Sequence, residues 1–200
     1  PHHNIPNCVN LDSFNNLDKN SLKTLFKIPY TKTHFIASEY NKNIFHKGFD
    51  LLEKAIANID KDRAHFTLLS NLNKKETGHN YTIIPKVTDD RYLNLLYSSA
   101  DALIISSREE NLPNMMLESM EAGTPVLGFP VGGLKDVIDD YYNGLLAQDV
   151  SVGSMTKMIE NFCDNRERFD PEKIRQYAEN HFSHEKISSQ YLELYKSVNK

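Results

Sequence analysis

Six short apolar runs, all but the last carrying β-branched or aromatic residues, recur along this chain at residues 33–37, 65–69, 81–84, 102–105, 126–129 and 145–147. Each is too short for an ordinary helix and reads as a strand. Helix-periodic segments lie between several of them. One, entered through Gly48-Phe49-Asp50, places Leu51, Leu52, Ala55, Ile56 and Ile59 on a single stripe. Another, capped by Asp89 or Asp90, is expected to turn Tyr92, Leu93, Leu96 and Tyr97 inward. A short helix is expected at 21–27, and the chain closes with helical segments at 152–163, 171–180 and 183–198, the last two capped by Asp170 and Ser183. Strands joined by helices imply a parallel sheet with right-handed crossovers. The fold class is therefore α/β, a doubly wound, Rossmann-like sheet whose ligand site lies at the carboxyl ends of the strands. Residues 38–47, 85–90, 106–112 and 130–133 form the loops on that edge.

Two hundred residues can bury a sizeable core, and 40% apolar with 25% charged residues describes an ordinary globular chain. A formal charge of -4 gives no electrostatic case for nucleic acid as a partner. Cys8 and Cys163 are read as reduced thiols. No apolar run approaches the roughly 20 residues that span a bilayer, and no signal peptide is visible, so a cytoplasmic location is expected. The irregular start, residues 1–20, suggests a piece of a longer protein.

The stretch from Ser106 to Pro125 carries the chemistry. A buried strand leads into a polar turn, then into a helix with Pro113 near its first position. Gly123 and Pro125 end that helix. The free N–H groups of such a helix start bind anions, and Lys47, on a loop of the same edge, adds a cation. Glu110 and Glu118 bracket the helix start. Carboxylates repel phosphate but accept hydrogen bonds from sugar hydroxyls. A diphosphate flanked by hydroxylated rings satisfies both demands, which describes a nucleotide sugar. Standing alone, Glu118 and Glu121 read equally well as a solvated helix face, and Lys47 as a solvated lysine.

Competing motifs fail. The chain has no GxGxxG, no GxxxxGK[ST] and no GxSxG. His46, His65, His79, His181 and His184 lack metal-ligand spacing. Asp89-Asp90 and Asp139-Asp140 read as caps and turn residues, so no metal site is assigned.

Glu110 and Glu118, with seven residues between them, and the run from Glu110-Asn111-Leu112-Pro113-Asn114 to Gly123-Thr124-Pro125-Val126 resemble the E-x7-E motif of retaining GT-B glycosyltransferases, especially glycosyltransferase family 4. Pro6-Asn7, Lys47-Gly48-Phe49-Asp50, Tyr97-Ser98-Ser99-Ala100-Asp101, Val131-Gly132-Gly133 and Asn143-Gly144 extend the likeness over nearly the whole chain. The resemblance implies the donor-binding, C-terminal half of a two-domain enzyme whose N-terminal acceptor domain is absent from this chain. It implies that Glu110 contacts the donor sugar as the catalytic residue and that Glu118 holds the ribose. It places Asn111, Leu112 and Pro113 along the sugar and diphosphate, Lys47 on the diphosphate and Val87 at the base. The implied reaction is metal-independent transfer with retention and needs no cofactor. The acceptor is expected to be lipid-linked or a growing polysaccharide, with the full-length enzyme peripheral to the inner membrane. One departure stands out: the family places an arginine several residues before the lysine, whereas residues 38–46 contain none, and Lys42 is the cation there. A non-catalytic nucleotide-sugar binding domain and a GT-B sugar-nucleotide epimerase are the alternatives.

Overall fold

The computed structural model describes residues 5–10, 13–39, 44–71 and 75–198. In chain order the elements are α1 (Lys19–Phe26), β1 (Thr33–Glu39), a 3-10 turn (Phe45–Lys47), α2 (Phe49–Asn58), β2 (Ala64–Ser70), β3 (Glu76–Thr77), β4 (Tyr81–Pro85), α3 (Asp90–Ser99), β5 (Ala102–Ile105), α4 (Asn114–Glu121), β6 (Val126–Gly128), α5 (Leu134–Val137), β7 (Gly144–Leu146), α6 (Val152–Asn165), a second 3-10 turn (Arg166–Arg168), α7 (Pro171–Phe182) and α8 (His184–Val198). All six expected strands form. They assemble in the order β4-β2-β1-β5-β6-β7, every pair parallel, and β3 adds an antiparallel edge beside β4. β3, two residues long, adds a seventh strand to the six that the sequence predicts.

The sheet grows from β1 in both directions. Its topological switch point therefore lies between β1 and β5, where a doubly wound sheet opens a crevice at its carboxyl edge. Helices α2 and α6 pack together on one side, while α1, α3, α4, α7 and α8 form a contiguous layer elsewhere on the sheet. Between them the β1 and β5 side chains Phe35, Ile36, Leu103 and Ile104 are buried, and Phe35 stacks on Phe66 of β2 with ring centroids 5.3 Å apart.

Local chemistry sets the helix ends. Asp18, Asp89, Ser151 and Asp170 each accept a backbone N–H of the first turn they cap. Gly123, at φ +74, ends α4 in the left-handed region. α3 corrects one expectation: Tyr92 is 41% exposed, whereas Leu96 and Tyr97 are buried as expected, Leu93 packs against the core, and Asn94 and Ser98 join the inward face. The polar members of that face have work to do, since Asn94 Oδ1 accepts from the Asn15 N–H and Ser98 Oγ donates to the Asn15 carbonyl. No helix among the described residues is long and apolar enough to cross a membrane. Both cysteines are free.

Candidate functional site

The two loops leaving β1 and β5 meet at the switch point. Their contact is close enough to require glycine: a Cβ on Gly48 would lie 1.9 Å from the Ser106 carbonyl oxygen, and Gly48 holds φ +65. On the other flank a Cβ on Gly132, at φ +48, would lie 1.5 Å from the Glu110 carbonyl oxygen. The loop carrying Glu110 is thus pressed between two glycine turns, one before α2 and one before α5. Gly133 N–H adds a 2.5 Å bond to the Asn111 carbonyl.

Lys47 Nζ donates to Glu110 Oε2 at 2.7 Å, and Ser107 Oγ donates to the same oxygen at 3.0 Å. Lys47, Glu110 and Pro113 line one cavity of about 160 Å³ together with Ser38, Ser107 and Met115. Asn111 and Leu112 instead line a second cavity of about 420 Å³, with Asn7, Gly132, Gly133 and Lys135. The structure therefore divides the expected set across the loop. Glu118 faces α3, where Tyr97 Oη donates to its Oε2 at 3.0 Å, and it lines neither cavity. Burial raises the Glu118 carboxyl above the ordinary value, the Tyr97 hydroxyl opposes that shift, and the Asp90 charge adds to it. Val87, on the loop between β4 and α3, packs against the core. Lys42 lies outside the described residues.

The family follows from a direct match. The model for "Glycosyl transferases group 1" aligns with residues 31–181. This chain belongs to the group 1 glycosyltransferases. Among curated relatives, the glycogen synthase of Thermodesulfovibrio yellowstonii is 27% identical over 173 residues, covering 78% of this chain and 33% of the relative. An uncharacterized glycosyltransferase of Methanocaldococcus jannaschii is 26% identical, covering 80% of this chain and 50% of the relative. The chain thus spans from a third to half the length of these curated relatives. Among solved structures, sucrose-phosphate synthase from Thermosynechococcus elongatus superimposes with a TM-score of 0.80 at 22% identity, over 97% of this chain and 52% of that one. The C-terminal domain of a group 1 family protein from Francisella tularensis matches with a TM-score of 0.70 at 14% identity, over 88% of this chain and 99% of that one. Anabaena HepE, solved with UDP-glucose, matches with a TM-score of 0.78 at 15% identity, over 96% of this chain and 57% of that one. The domain is one half of a GT-B fold.

In this group 1 glycosyltransferase, the local sequence hid the partners of two residues near the site, Arg108 and Tyr97. Arg108 reaches back to α2, with Nη1 and Nη2 each 2.7 Å from an Asp50 carboxylate oxygen. Each ion of that pair holds the other charged: the Asp50 carboxyl falls below its ordinary value, and the Arg108 guanidinium rises above its own. Tyr97 is expected inward and belongs to a block that carries the family resemblance; the structure adds that its hydroxyl bonds Glu118. The available signal for Arg108 was its position two residues before Glu110; its partner is 58 positions away.

Proposed function

We propose that this chain is the donor half of a retaining, metal-independent glycosyltransferase that takes a nucleotide-diphosphate sugar. The observation that carries the reading is Lys47 meeting Glu110 in one cavity at the switch point, beside Pro113 at the start of α4. A lysine and a helix amino end suit the two phosphates, and carboxylates suit the hydroxyls of sugar and ribose. In this reading Glu110 contacts the donor sugar, Glu118 holds the ribose, and Asn111, Leu112 and Pro113 lie along the sugar and diphosphate. Lys47 and the α4 amino end stabilise the departing diphosphate, the charge that grows in the transition state. Val87 borders the base. The cavity around Lys47 is too small for a whole nucleotide sugar, so the ligand runs along the open edge toward Glu118.

An acceptor domain supplied by the rest of the protein closes the cleft. The acceptor class is a lipid-linked or polysaccharide chain, and the setting is cytoplasmic, at or near the inner membrane. A neighbour of the same fold solved with UDP-glucose makes uridine nucleotides the first ligands to try. A thermal-shift panel of UDP-, GDP- and ADP-sugars tests donor binding. One base should raise Tm with the mass-action dependence on ligand concentration; no shift with any of them contradicts the reading. In the full-length protein, Glu118→Ala should sharply reduce transfer, and a chelator should leave it unchanged.

A further inference from the structure

The 3-10 turn that carries Lys47 is fastened to the loop that carries Glu110 through all three of its carbonyls. The Phe45 carbonyl accepts from Arg108 Nη1 at 2.7 Å, the His46 carbonyl from the Arg108 N–H at 2.7 Å, and the Lys47 carbonyl from Ser106 Oγ at 2.9 Å. Arg108 supplies two of these bonds. Its guanidinium also lies over the Phe45 ring, 4.1 Å from the centroid, and is clamped by both Asp50 oxygens on α2. One side chain thereby joins the Lys47 turn, the first turn of α2 and the Glu110 loop. The Arg108 side chain is 16% exposed and points all its charge into this joint, not into the cavity that Lys47 lines.

We infer that Arg108 is a positioning residue for diphosphate recognition: it fixes the turn from which Lys47 reaches the phosphates. The inference rests on the donor-site reading above. A fork-shaped guanidinium can hold a carboxylate and a carbonyl at once with fixed angles, which a lysine cannot. Loss of the clamp leaves the bonds from the Arg108 N–H and Ser106 Oγ in place but frees the Phe45 end of the turn, so Lys47 is held less firmly and the penalty should fall on the diphosphate and not on the nucleoside.

The test is calorimetric titration of the full chain with UDP, GDP and ADP and with the matching nucleosides. For the nucleotide that binds, Arg108→Ala should weaken the diphosphate roughly tenfold and leave the nucleoside within about twofold, with Arg108→Lys in between. In a Lys47→Ala background, Arg108→Ala should add almost nothing, because the two act as one unit. Asp50→Ala frees the guanidinium while leaving its bond to the Phe45 carbonyl, and should give a smaller loss of the same kind even if Arg108→Ala fails to fold. Additive losses in the double variant, or equal losses for nucleoside and diphosphate, overturn the inference while leaving the donor site standing. A wild-type chain that binds none of the three nucleotides overturns both.

Discussion

Lys47 Nζ and Glu110 Oε2 form a 2.7 Å ion pair across the crevice, with 39% of the lysine side chain and 14% of the glutamate side chain exposed. In the proposed role, an incoming diphosphate must take the ammonium away from the carboxylate. Glu110 would then be free to receive sugar hydroxyls, so the two halves of the ligand cooperate. A nucleoside diphosphate without sugar gains nothing from the freed carboxylate and meets its repulsion.

Glu110→Gln removes that competition. It is expected to tighten binding of the bare nucleoside diphosphate by roughly two- to fivefold, the scale of a partly exposed ion pair. In the full-length enzyme the same change should lower transfer by about a hundredfold or more. Titration with the nucleotide and a transfer assay, run on one preparation, check both directions.

Tyr97 Oη is a hydrogen-bond donor to Glu118 and holds down a carboxyl that burial pushes up. Tyr97→Phe should raise that value further. If the ionised carboxylate is what accepts the ribose hydroxyls, donor affinity falls as pH drops and Glu118 takes up a proton. The variant should show that fall beginning at a higher pH than the wild type, with binding at neutral pH weaker by roughly three- to tenfold. Dissociation constants measured across pH 5–8 decide it.

Glu121 is fully buried at the end of α4, and among the described residues neither carboxylate oxygen has a hydrogen-bond partner. Arg175 Nη2 is 3.8 Å away, but Arg175 spends Nη1 on the carbonyls of Phe14 and Glu121 and Nε on Glu179. Burial lifts the carboxyl from 4.5 to about 7, against the pull of Arg175 and with a push from Glu179. A folded value above the unfolded one gives stability that is complete below pH 4.5 and lost as pH rises through 7. Glu121→Gln should cancel this loss. Relative to wild type, its unfolding free energy should improve between pH 5 and pH 8 by on the order of 2 kcal/mol, read from urea curves at the two pH values.

His34 acts with the opposite sign. Its ring, on β1, is buried and bridges the end of α3 and β2, Nδ1 donating to the Ser99 carbonyl at 2.9 Å and Nε2 accepting from Thr67 Oγ1 at 2.8 Å. Burial is the chief cause that holds it neutral, with a value pushed down to about 4; His65 beside it falls to about 4 for the same leading reason. The unfolded chain protonates first as pH drops below about 6.5, so stability present above that pH is lost on the way down to pH 4. Urea midpoints should fall steadily over that window. His34→Gln should flatten the slope while lowering stability at pH 7, since the buried ring leaves a gap.

The sequence exposes what depends on neighbours and hides what depends on distance. Five of the six strands are legible because each is a compact run holding β-branched or aromatic residues, while β7 is legible from the Asn143-Gly144 turn before a short apolar run. β3 is two residues inside an Asn- and Lys-rich loop, with no periodicity to read. Tyr92 was misplaced because an apolar residue at helix spacing suggests an inward face, whereas Asn94 and Ser98 claim that face through bonds to Asn15. Lys47 and Glu110 could be assigned to one edge from the order of strands. Their direct pairing could not, nor could the Arg108–Asp50 clamp, because both join residues some sixty positions apart. Glu121 looks like one more acid on a helix face until α7 is laid across it.

In the proposed role, Lys47, Glu110 and Glu118 act on one nucleotide sugar lying along the carboxyl edge. A crystal structure of the chain with the tightest-binding nucleotide sugar tests it most directly. The account predicts the diphosphate on Lys47 Nζ at the start of α4, the Lys47–Glu110 pair opened, Glu110 on the sugar and Glu118 on the ribose. A ligand seated with the Lys47–Glu110 pair still closed, or held in the Asn7–Lys135 cavity with Glu118 untouched, would contradict it.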